Sequence, residues 1–119
     1  MKETIKSIIE WSEQTFPDAN VDGQVDKFNT EYEEYFEANT LQEQVEELAD
    51  VFIVAFGISR FDLQEGLFYI NEAWRLYSNS PFAWEDLEQA INKKMAKNRK
   101  RIFIHSGQGH YQHKAGIED

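Results

Sequence analysis

Residues 27–50 read KFNTEYEEYFEANTLQEQVEELAD, and the reading of this stretch decides the fold. It holds eight of the chain's 22 acidic residues and a single base, Lys27. Glu31 and Glu34 stand three apart, and so do Glu47 and Asp50. On a helix, residues at i and i+3 share a face, so each pair aims two carboxylates at one point. A break at Asn39-Thr40 separates the pairs and lets their two helices fold back antiparallel. Four converging carboxylates with no cation between them repel, and a divalent ion at their centre resolves the repulsion.

Working outward, a chain of 119 residues implies one domain. Its 41% hydrophobic content, with nine Phe, five Tyr and three Trp, suffices for a packed core. The absence of Cys excludes disulfides and thiol chemistry and fits a reducing cytoplasm. No apolar run approaches the ~20 residues of a membrane span, and the start, MKETIKSIIEW, has no signal-peptide core. The net charge of −10 argues against general nucleic-acid binding. Six of the twelve basic residues fall between Lys93 and Arg101, so a short basic stretch opposes an acidic half.

The pattern predicts an all-α bundle of four to five helices, with a helical domain over 1–103 and a loop-like tail over 104–119. The first helix runs from Glu3 to Thr15, with Ile5, Ile8, Ile9 and Ser12 on one face, and Phe16-Pro17 ends it. Trp11 and Phe16 read as core or as the wall of a base pocket. The second runs from Val21 or Gln24 to Ala38, with an apolar stripe of Val25, Phe28, Tyr32, Tyr35 and Phe36. At ~100° per residue, Glu33 and Glu37 point away from the stripe, whereas Glu31 lies on its edge with Lys27 and Glu34. An ionised carboxylate is costly to bury uncompensated. Thr40-Leu-Gln-Glu43 is a capping box that opens the third helix, apolar on all sides from Val51 to Ile58. Glu43, Glu47 and Asp50 lie on the side that runs into Val54 and Ile58, and Glu46 stands one turn before Asp50.

Asp62-Leu-Gln-Glu65 opens a fourth helix with a stripe of Leu63, Leu67, Ile70, Trp74 and Tyr77, read as core or as a subunit contact. Ser80 then caps a last helix with Pro81 at its first position, running to about Arg101. Trp84, Leu87 and Ile91 set its buried face, which continues as Lys94, Asn98 and Arg101. Polar groups at apolar positions mean either that the helix outlives its core and ends in solvent or that they point into a polar cavity holding anions. His105, His110 and His113 in the tail make a weak metal signal.

Oxygen-only ligands suit a hard cation, Mg2+ first and Mn2+ as its substitute. Zinc would want His or Cys, and a di-iron bundle would want Glu-x-x-His pairs. Magnesium on carboxylates works with substrate phosphates, for which Lys27, Lys94, Asn98 and Arg101 offer donors. Metal on one side and cations on the other describe a polyphosphate site and metal-assisted attack of water on phosphorus.

Glu31-x-x-Glu34, followed after twelve residues by Glu47-x-x-Asp50, resembles the signature of the all-α nucleoside triphosphate pyrophosphohydrolases, the MazG-like superfamily. Lys27, Ala38 and the run Glu46-Glu47-Leu-Ala-Asp50-Val fit that signature. Lys94-x-x-x-Asn98-x-x-Arg101 is similar to the C-terminal motif of the often phage-encoded branch acting on dATP and dGTP. The branch carries Trp where this chain has Phe103, and residues 62–79 look like an added helix. The resemblance implies that Glu31, Glu34, Glu47 and Asp50 bind magnesium, and that Glu46 supports a second metal or orients the water beside Glu47. It implies that Lys27, Lys94, Asn98 and Arg101 hold the phosphates, with a monophosphate and pyrophosphate as products. It further implies a homodimer or homotetramer.

Two alternatives follow from the same residues. One is a non-enzymatic acidic helical protein, a DNA mimic or host-factor inhibitor, for which exposed Glu33 and Glu37 would matter as much as Glu31 and Glu34. The other keeps fold and metal but takes pyrimidine dNTPs or phosphoribosyl-ATP.

Overall fold

The computed structural model describes residues 2–101, 103–105 and 111–113. Five helices follow in order: α1 (Ile5–Thr15), α2 (Val21–Glu37), α3 (Leu41–Ile58), α4 (Leu63–Ser78) and α5 (Trp84–Asn98). Helix α3 is the hub, packed against α1, α2, α4 and α5. Its second half has no polar face: every residue from Val51 to Ile58 is buried. Ile8, Phe28, Ala73, Leu87 and Met95 gather around it from the neighbouring helices, against Leu48 and Phe52 of α3 itself. No described helix is long and apolar enough to cross a membrane.

Caps set most of the boundaries. Thr40 Oγ1 accepts from the Glu43 amide at 3.1 Å, and Asp62 Oδ1 accepts from the Glu65 amide at 2.9 Å. Both expected starts therefore hold. Helix α2 starts at Val21 because Asn20 Oδ1 accepts from the Gly23 amide at 2.8 Å. Helix α1 begins at Ile5, later than the expected Glu3, because Thr4 and Ser7 cap one another at 3.0 and 2.8 Å. The Glu3 carboxylate is drawn instead to Arg99, at 2.7 and 3.0 Å.

The expected start of the last helix at Ser80-Pro81 is corrected. Ser80 Oγ donates to the Tyr77 carbonyl at 2.6 Å and closes the end of α4. Helix α5 begins at Trp84, where the Asp86 carboxylate accepts from the Ala83 amide at 3.2 Å. Its other end falls at Asn98, so Arg101 stands in the turn that follows.

The tail, expected to be loop-like, is described only over 104–105 and 111–113, where it is extended. Two short strands, β1 (Phe103–His105) and β2 (Tyr111–His113), pair antiparallel with Phe103 opposite His113. His110 lies outside the described residues. Phe36 of the α2 stripe is exposed (63%), and so are Leu63 (67%) and Leu67 (50%) of the stripe read as core or subunit contact, so these two are not core. Trp84 is exposed too, stacked on Trp74 with centroids 5.5 Å apart.

Candidate metal and anion site

The antiparallel pairing of α2 and α3 converges their acidic edges. Carboxylate oxygens of Glu31, Glu34 and Glu47 lie within 4.8 Å of one another, a separation one cation can bridge. Glu31 Oε2 and Glu47 Oε2 are buried and have no hydrogen-bond partner. A buried anionic oxygen without a donor is costly, so this donor set fits a bound hard cation.

Asp50, the fourth expected ligand, stands outside this trio. Its Oδ2 forms an ion pair with Lys94 Nζ at 3.2 Å, both side chains being mostly buried. Lys94, expected on the phosphates, is thus held to the acidic cluster. Glu46, on the same helix, accepts from Gln42 Nε2 at 2.8 Å. Glu33 and Glu37 are exposed, as their helical phase requires.

Electrostatics follow the crowding. Burial, then repulsion from Asp50 and Glu34, pushes the Glu31 carboxyl up to about 9. Burial raises Glu47 to about 7, helped by a hydrogen bond with the Glu34 carboxyl and by the charge of Asp50. Asp50 is raised too, because burial outweighs the attraction of Lys94. Burial alone would lower Lys94, but the charge and hydrogen bond of Asp50, with Glu47 beyond, hold its ammonium above the ordinary value.

Beside the carboxylates lies a cavity of about 260 Å³. Its lining sorts by chemistry. Glu31, Glu34 and Asp50 are at the acidic side, Lys27, Asn98 and Arg101 are polar or cationic, and Trp11 and Phe16 are aromatic. Arg101 Nη1 donates to Asn98 Oδ1 at 3.2 Å, which steers the guanidinium toward this wall although α5 has ended. Trp11 and Phe16 meet edge to face, their centroids 5.1 Å apart. The rings pack on each other and line the cavity.

Four participants escaped the sequence reading: Ser12, Gln24, Gly57 and Arg60. Ser12, Gln24 and Gly57 line the cavity. Arg60 crosses to α1, where Nη1 donates to the Ser12 carbonyl and hydroxyl at 2.5 and 2.8 Å and Nη2 to the Phe16 carbonyl at 2.7 Å. The Ser12 and Phe16 carbonyls also accept from the Phe16 and Ala19 amides, so Arg60 adds a second donor to each and ties the aromatic wall to the end of α3. A signal existed for Ser12, a hydroxyl among isoleucines on an apolar helix face. None existed for Gln24, whose type is ordinary in a first helical turn.

No protein-family model matches this chain, and neither a curated protein nor a solved structure matches it significantly.

Proposed function

We propose that the protein is a magnesium-dependent hydrolase of deoxynucleoside triphosphates, purine dNTPs favoured, with a MazG-like fold. The observation that carries the reading is the convergence of Glu31, Glu34 and Glu47 with two buried, unpartnered oxygens, beside a cavity that also holds cations and aromatic rings.

Glu31, Glu34 and Glu47 would hold Mg2+ or Mn2+, with Asp50 joining them where Lys94 yields it. A divalent ion there supplies neutralisation of polyphosphate charge and acidification of water. Lys27, Asn98 and Arg101 bind the phosphates within the cavity, and Trp11 and Phe16 give the base an apolar surface. Water attacks the α-phosphorus, the bond from that phosphorus to the bridging oxygen breaks, and pyrophosphate leaves with the electron pair. Glu47, with Glu46 beside it, takes the proton of the attacking water. The same reading carries assembly as a homodimer or homotetramer.

A panel of dNTPs with Mg2+ tests the activity. Pyrophosphate and a deoxynucleoside monophosphate are expected in equal amounts, with purines turned over fastest. Release of inorganic phosphate instead, or no turnover of any dNTP, would overturn the reading.

A further inference from the structure

We propose that Lys94 is a positioning residue that competes with a divalent ion for Asp50. It thereby sets how tightly the carboxylate site takes metal, an inference that rests on the metal reading above. Asp50 stands three residues after Glu47 on α3, so the two share a face. As the chain is folded, however, Asp50 offers no oxygen to the 4.8 Å cluster of Glu31, Glu34 and Glu47. The cause lies on another helix. Lys94 Nζ of α5 meets Asp50 Oδ2 at 3.2 Å, and the two side chains are only 16% and 21% exposed.

Helix α5 delivers this ammonium from inside the bundle. Leu87 and Ile91 are buried, Lys94 follows Ile91 by three positions, and Met95 and Asn98 are buried beyond it. The cavity is lined by Asp50, Lys27, Asn98 and Arg101 but not by Lys94. Lys94 thus meets Asp50 from outside that lining, where it balances carboxylates rather than holding a phosphate. Burial alone would lower it, but Asp50, then Glu47 and Glu46, hold the ammonium above its ordinary value.

Bringing Asp50 into the cluster means parting it from Lys94. That leaves a shielded ammonium without its partner, next to an incoming dication. Separation of a shielded pair and repulsion between like charges both oppose metal binding. The number of charged ligands sets the affinity of carboxylate cation sites over decades. With Lys94 in place three carboxylates are ready for the ion. With a neutral side chain there, Asp50 is released as the fourth.

The test uses Mn2+ alone, without nucleotide, titrated into the full chain with the free ion read by its EPR signal. Lys94→Met is expected to bind Mn2+ about tenfold tighter than wild type. Lys94→Arg keeps the charge and is expected to stay within about threefold of wild type. With Asp50→Asn in the background, Lys94→Met is expected to gain at most about threefold, since no fourth carboxylate is released. A destabilised fold does not tighten metal binding, so the gain separates this role from a merely structural one. In wild type, saturating Mg2+ is expected to shift the Asp50 carboxyl carbon resonance in NMR, a readout independent of how Lys94→Met folds. Unchanged affinity in Lys94→Met returns Lys94 to the phosphates, and weaker affinity makes it an orienting partner of a metal-bound Asp50. Either result overturns the competition, as does an equal gain with Asn at position 50. If Lys94→Met tightens Mn2+ and no dNTP is hydrolysed, the triphosphate reading fails and this inference stands. If dNTPs are hydrolysed and the affinities match, the reverse holds.

Discussion

Asp50 and Lys94 face each other across α3 and α5 at 3.2 Å, each mostly shielded from water. Removing one partner of such a pair leaves a shielded charge, which costs more than the pair contributes. Lys94→Met is expected to lower stability by about 2–3 kcal/mol, below the fully buried limit because both side chains keep some exposure. Asp50→Asn with Lys94→Met should recover part of that loss. Chemical denaturation of the two single variants and the double variant measures the coupling.

Glu31→Gln and Glu47→Gln each remove one charge from the trio. In metal-free protein both are expected to leave thermal stability unchanged or to raise it, because repulsion falls. Both should abolish the rise in Tm on adding Mg2+ and cut turnover by about a hundredfold or more. Glu33→Gln, on the exposed side of α2, should change none of these. Equal effects at Glu33 and Glu31 would favour the acidic-mimic alternative.

The raised carboxyls make metal-free stability depend on pH with a definite sign. Glu31 and Glu47 bind protons more tightly folded, at about 9 and about 7, than at the ordinary 4.5. Their contribution is therefore fully present below pH 4.5 and is lost as pH rises, by about 7 for Glu47 and about 9 for Glu31. Glu3 has the opposite sign. A hydrogen bond from Arg99 holds it below 4.5, so its contribution is lost only in stronger acid. Metal-free Tm should thus fall from about pH 5 to about pH 9, and saturating Mg2+ should shrink that fall. A metal-free Tm that climbs over this range contradicts the buried cluster.

Gly66 packs at the start of α4 directly on Ser59. A Cβ at 66 would come within 2.4 Å of the Ser59 Cα. Ala gains about 1 kcal/mol over Gly in a helix, whereas overpacking against backbone costs about 1–3 kcal/mol. Gly66→Ala is therefore expected to be destabilising by up to about 2 kcal/mol, read by urea denaturation. Gly57→Ala differs, since its nearest contact is the Ser12 hydroxyl at 3.3 Å. It should leave Tm within a few degrees of wild type and raise KM for dNTPs.

Helix count, the α2–α3 turn and the inward phase of Glu31 were legible because each depends on neighbours within four residues. Thr40 and Asp62 cap as their local spacing demands. Ser80 misled because one hydroxyl can end a helix or start one, and its bond to the Tyr77 carbonyl chose the former. For Leu63 and Leu67 the pattern left core and subunit contact open, and their exposure excludes the former. Periodicity marks an apolar stripe, and the packing partner alone says whether water is excluded from it.

By itself the sequence determined an all-α chain of four to five helices and two carboxylate pairs, each on one face of its helix, since the 3.6-residue period is a local property of the backbone. Tertiary structure alone decided which oxygens meet. The rotation of α2 against α3 joins Glu31, Glu34 and Glu47, and the reach of Lys94 from α5 takes Asp50 out of that trio. It also placed Ser12, Gln24 and Arg60 around one cavity, from positions up to 48 residues apart. Distances between helices are set by packing, and no spacing along the chain encodes them.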